Sequence, residues 1–322
     1  MAITTAPGVH APGTGPLFAT TPRALGMVVL AGAAMSLQAF INGRLGARIG
    51  SFEVAAAINN AVGLLGLAAA VVLGGALGRA RAALHERGRP PLWYLAGGLL
   101  GAIYVIVSAA AAPIVGVALM TVAFVCGTTI SSLAVDALGM GPAGRRPITP
   151  NRLAGVALAA GATVIGALGS AGDFQPLVLA LAFGAGVANG VQGAANGQLA
   201  RVTGESSFAA FVNFGVGFLA LATIAAVVLA VDPPTGSAPP LPLLAGGLCG
   251  IFIVFVLASG VQTLGTLRSG LGMVAGQTLG GLVLDLIAPV PGEHVTLYTL
   301  AGVVLVLAAV VISGRGRQVA PD

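Results

Sequence analysis

Residues 206–230, SSFAAFVNFGVGFLALATIAAVVLA, carry no charge over their whole length. A helix needs ~20 apolar residues to cross the hydrocarbon core of a bilayer. Inside that core a backbone satisfies its hydrogen bonds only as a helix or as a closed barrel. The run is too uniformly apolar for a barrel strand, which alternates in segments of ~10 residues. Comparable runs fall at 24–46, 52–77, 92–111, 113–138, 152–170, 176–200, 241–260, 263–288 and 296–313. The expected fold class is therefore an all-α polytopic membrane protein with ten transmembrane helices. Only 7% of the residues are charged, far below the ~25% of a soluble domain. The connections, among them GRARAALHERGRPP, SAGDFQP and VDPPTGSAPPLP, are too short to hold a soluble domain.

All 14 basic residues are arginine. A chain without lysine has no phosphate-binding Gly-Lys loop and no Schiff-base lysine. The net charge of +5 sits between the apolar runs, which marks topology and excludes nucleic acid as the expected partner. With the N-terminus placed inside, the inner segments hold Arg23, Arg79, Arg81, Arg87, Arg89, Arg145, Arg146, Arg152, Arg201, Arg268, Arg315 and Arg317. The outer ones hold only Arg44 and Arg48. Both termini are expected in the cytoplasm. Residues 1–22 lack a basic n-region and contain four prolines, so they read as a disordered cytoplasmic tail and not as a signal peptide. Residues 315–322 form a second cytoplasmic tail. Cys126 and Cys249 lie in different apolar runs and read as small buried residues. His10, His85 and His294 all fall in the tail or in connections. No catalytic residue, metal site or cofactor is expected from this pattern.

The chain repeats itself. At an offset of 154, Gln38 matches Gln192, Asn42 matches Asn196, Leu45 matches Leu199, Asn59 matches Asn213 and Gly63 matches Gly217. After a shorter loop the offset becomes 149: LAGGLLGAI at Leu95–Ile103 matches LAGGLCGIF at Leu244–Phe252, Gly127 matches Gly276, and Asp136 matches Asp285. Two five-span units are implied, 23–170 and 171–314. Five is odd, so the second unit enters the membrane inverted. Inverted repeats are a transporter architecture.

With QAFINGRLGARIGS, AAAINNAVG, GGLLG and GQTLGGLVLD in place, the chain resembles the drug/metabolite transporter superfamily, and within it the YdcZ-like family of bacterial inner-membrane proteins. Two copies of that family's unit are fused here. The resemblance implies transport in the bacterial cytoplasmic membrane but names no cargo. One position departs from the pattern: Gly276-Gln277 in the second unit is Gly127-Thr128 in the first.

Gln38 and Asn42 are four residues apart, on one helical face, and Asn59 lies at similar depth in the next span. Inversion carries Gln192, Asn196 and Asn213 to the other side of the membrane. Two readings stay open for these amides. They either bond neighbouring helices together, or they form a pair of gates that bind or admit cargo. Gln277, Thr128 and Tyr104 fall nearest the midplane and are the candidate cargo contacts. Asp136 and Asp285 invite an ion-coupling reading, although their places near span ends favour packing or interfacial roles. Glycine pairs such as Gly97/Gly101 and Gly246/Gly250 read as close helix contacts, and Trp93 and Tyr94 as interface anchors.

The function expected is secondary transport of a small solute by alternating access. A non-transporting membrane scaffold is the alternative, and a membrane-embedded enzyme a weaker one. The expected partners are the small solute and the lipid bilayer, with a homodimer as an admissible assembly.

Overall fold

The computed structural model describes residues 21–142, 144–145, 147–168, 175–289 and 295–314, with the backbone alone at 21, 166–167, 258–268 and 313–314. Most of the two tails, together with Arg146, Asp173, Glu293, Arg315, Arg317 and the side chain of Arg268, lies outside the described residues. Among the described residues ten α-helices follow one another: α1 Thr21–Ile49, α2 Phe52–Leu73, α3 Ala76–Arg87, α4 Ala96–Val115, α5 Val117–Leu138, α6 Pro150–Leu168, α7 Pro176–Thr203, α8 Ser206–Val231, α9 Gly246–Ile287 and α10 Leu297–Gly314. No strand occurs among the described residues. Seven helical stretches there are long and apolar enough to cross a membrane. Their outer faces carry bare aliphatic side chains, such as Leu65 at 71% exposure, Leu219 at 67% and Val72 at 63%. Such a surface suits hydrocarbon and would be costly in water.

Three boundaries differ from the sequence reading. The connection GRARAALHERGRPP is not merely a loop, because α3 occupies its first half and takes His85 onto a helix. Glu205 bonds and pairs with Arg79 of α3, holding that guanidinium above its ordinary range. Arg87 donates to the last carbonyls of α7, Arg201 O at 3.3 Å and Val202 O at 3.0 Å. A helix of 12 residues is marginal alone, so these contacts hold it in place. Second, α4 passes through Pro113 and ends at Val115. The break is Gly116, at φ 77° and ψ 159°, a region essentially reserved for glycine. Proline suggested the earlier stop; Pro113 leaves the Ala109 carbonyl without its donor, yet the helix runs on for two more residues.

Third, α9 is helical throughout and yet covers two expected spans. A straight helix of 42 residues would reach ~63 Å. Its arms instead both lie along α1. The first runs against α1: Gly246 meets Asn42, Gly250 meets Gln38, and Val256 packs with Val28. The second runs with it: Gly272 meets Leu25 and Val28, Gly276 meets Val29, and Gly280 meets Ala33. The chain therefore turns back between Leu257 and Ser269.

The packing interlocks the two repeats. Gly32 of α1 abuts the backbone of Met273 and Gln277, and its mate Gly186 of α7 abuts Phe124 and Thr128, the mates of those residues. Likewise Gly276 abuts Val29, and Gly127 abuts Phe183. The first helix of each unit is thus seated on the fourth span of the other unit. By repeat symmetry the helices divide into one bundle of α1, α2 and α9 and another of α4, α5, α7 and α8, which meet chiefly where α2 crosses α8; α6 packs on α10 beside them.

Candidate functional site

Each amide cluster is built by three helices. In the first, Gln38 and Asn42 project from α1 and Asn59 from α2, and Gln38 Nε2 donates to Asn59 Oδ1 at 3.3 Å. The third wall is the first arm of α9. A β-carbon at Gly246 would stand 2.6 Å from Asn42 Oδ1 and 2.7 Å from Asn59 Oδ1. Only a glycine lets both oxygens in, where its Cα–H can serve as a weak donor.

The second cluster repeats this arrangement. Gln192 Nε2 of α7 donates to Asn213 Oδ1 of α8 at 3.1 Å. Gly97 of α4 is the glycine wall, and a β-carbon there would overlap Asn196 Oδ1 and come 3.2 Å from Asn213 Oδ1. Gly97 and Gly246 are themselves repeat mates. In both clusters the amides come from one unit and the glycine from the other. The first cluster lies near the α4–α5 break, with Gly43 against Pro113; the second lies farther along α5, with Gly190 against Ser131.

The clusters differ in water access. Gln38 is 5% exposed, Asn42 0% and Asn59 1%, while Gln192 and Asn196 are half-buried and Asn213 is 9% exposed. In the first cluster Asn42 Nδ2, Asn42 Oδ1 and Asn59 Nδ2 are buried with no conventional partner among the described residues. Each such atom costs ~1–3 kcal/mol. The sequence holds part of the cause. Asn60 and Phe214 are repeat mates that meet at the crossing of α2 and α8. Phe214 reaches Gly63 and, like Gln38, Gly250, whereas Asn60, 4% exposed, stands at Gly217. Sequence reasoning missed Asn60, and it read Gly97 and Gly246 as close helix contacts without setting them against the amides. The doubled asparagine Asn59-Asn60 was the available signal, but its repeat mate is Asn-Phe and hides it.

The remaining candidates do not join either cluster. Tyr104 OH donates to Met35 O at 3.4 Å, and its ring tilts against Phe124 at 4.8 Å. Gln277 is 2% exposed with Nε2 unpartnered, and its carbonyl accepts from Ser36 Oγ. Tyr104 and Gln277 thus engage adjacent residues of α1. Thr128 Oγ1 donates to Gly186 O at 3.1 Å. The small gap beside Tyr104 is lined by Ser108, Met120, Phe124, Ala182 and Ala185 and carries no charge.

The two aspartates take different partners. Asp285 of α9 accepts from the Val117 N–H at 2.9 Å and the Ala118 N–H at 2.7 Å. It caps α5 across the boundary between bundles, where a carboxylate suits the exposed N–H groups and dipole of a helix start. Asp136 pairs with Arg152 of α6. No group of three metal-ligating side chains occurs among the described residues.

A family model described as "Putative inner membrane exporter, YdcZ" matches this chain twice, over residues 24–165 and 177–312. The chain belongs to the YdcZ family. Its expected standing as an integral inner-membrane protein with a transport role follows at that level, and a transporter is favoured over an enzyme. One solved structure, titled only "Crystal structure of protein", is similar at 18% identity and a TM-score of 0.56, over 91% of this chain and 96% of that one. At that identity the likeness speaks for the fold. No curated protein matches the chain.

Proposed function

We propose that this YdcZ-family chain is a ten-span secondary transporter of two inverted five-span units, moving a small neutral or weakly charged solute by alternating access. The ten spans are α1, α2, α4–α8, the two arms of α9, and α10. The observation that carries the proposal is one amide cluster built twice with the same bonds, dry in one copy and partly open in the other. Gates that close in turn require that relation. With the termini cytoplasmic, as the arginine distribution argues, the dry cluster faces the periplasm and the open one the cytoplasm, so the conformation is inward-facing. The moving bodies are the two mixed bundles and not the two sequence repeats, since each amide cluster sits wholly inside one bundle. Uncharged amides favour cargo that bonds through polar but neutral groups. Buried amides left without partners reward such a cargo, or water, when a gate opens.

A thermal-shift screen of the purified protein against neutral amino acids, polyols, nucleosides and drug-like compounds should find stabilising ligands. Each ligand is then tested for counterflow in proteoliposomes. Accumulation of labelled ligand against its unlabelled form is the expected result. Binding without flux would contradict the proposal and favour the scaffold.

A further inference from the structure

The surface formed by α3 and the end of α7 has a use that solute transport does not supply. α2 leaves the apolar layer at Leu73, 87% exposed, and the chain re-enters it at Leu92, 83% exposed, beside Trp93. Residues 76–89 lie between these two lipid-facing points and so are held at headgroup depth. Glu205 and the α7 carbonyls hold Arg79 and Arg87 there, so the segment does not swing into bulk water. Arg81, His85 and Arg89 are exposed and have no partner among the described residues. Arg201 is likewise exposed on the last turn of α7, which Arg87 caps. Glu86 is the one acid on α3, and the patch remains net positive.

We infer that the exposed arginines Arg81, Arg89 and Arg201 make this a surface that binds the phosphate headgroups of anionic phospholipid. Charge complementarity and depth argue for this occupant. A guanidinium matches phosphate with paired N–H donors, and an anionic leaflet places phosphates at this height. A patch that served only to orient the chain during insertion would not require a docked helix to carry it. The inference stands apart from the transport proposal, since a scaffold could hold the same lipid.

The test is lipid retention by the full-length protein. Wild-type protein is reconstituted in phosphatidylcholine mixed with phosphatidylglycerol, extracted, and its bound lipid counted by native mass spectrometry. Phosphatidylglycerol should be retained in preference to phosphatidylcholine. Arg81→Gln with Arg89→Gln should lower its apparent affinity roughly twenty-five-fold, the product of two contacts each worth about fivefold near a membrane surface. Arg44→Gln with Arg48→Gln, on the opposite side of the chain, should leave retention unchanged. Equal retention of the two lipids, or an Arg81/Arg89 variant that holds phosphatidylglycerol like wild type, would overturn the inference. Displacement of the lipid by millimolar inorganic phosphate would also overturn it, in favour of a soluble-anion site.

Discussion

Asp136 and Asp285 are repeat mates with the same side chain and different work. Asp285 satisfies two N–H groups at the start of α5, and its removal leaves both without their acceptor. Asp285→Ala should therefore cost about 2 kcal/mol, within the range for bonds to charged acceptors, and lower the melting temperature in detergent. Asp285→Asn should lose less, since one amide oxygen still accepts. Asp136 meets Arg152 where both side chains keep partial solvent access, 29% and 22%. Asp136→Ala should cost less than about 1 kcal/mol. Equal losses at the two positions would contradict this division. Phe214 stands beside the first cluster at Gly250, where it can help to exclude water. Phe214→Ala should raise the labelling of a cysteine placed at Asn59 and leave one at Asn213 unchanged. An unchanged position 59 would mean that helix packing alone seals the cluster.

At the scale of elements, much was legible and the reasons are physical. Lipid demands long apolar helices, so α1, α2, α7 and α8 could be read from their runs. The pairs Gln38–Asn59 and Gln192–Asn213 could be suspected because each amide stands out in an apolar stretch. The interlocking could not be read. A repeat offset says that two units are alike, but nothing in it says that Gly246 completes the cluster of α1 while Gly97 completes that of α7. Nor was α3 legible, because its order comes from Glu205 and the α7 carbonyls more than a hundred residues away. The interlocking carries its own prediction. Ala118 of α5 and Gly281 of α9 touch across the two bundles, a β-carbon at Gly281 lying 3.2 Å from Ala118 Cα. Ala118→Cys with Gly281→Cys should form a disulfide under mild oxidation. If the bundles move as bodies, that cross-link stops counterflow and reduction restores it. Full flux in the oxidised protein would contradict bundle motion.

For the whole molecule, orientation comes first. Reporter fusions should give cytoplasmic activity at the C-terminus and periplasmic activity in the connection at Asp173. A periplasmic C-terminus would exchange the inner and outer clusters and reverse the facing assigned here. The central claim is that the two amide clusters open in turn, and paired accessibility tests it most directly. In a background lacking Cys126 and Cys249, single cysteines replace Asn59 or Asn213, and each is labelled from its own side by a membrane-impermeant thiol reagent. Position 213, 9% exposed beside the half-buried Gln192 and Asn196, should label faster than position 59 in this state. A cargo or condition that favours the other state should exchange the two, because a ligand shifts the balance only by binding one state better. Labelling that rises and falls together at both positions, or never changes at either, would make the amides static links between helices and contradict the account.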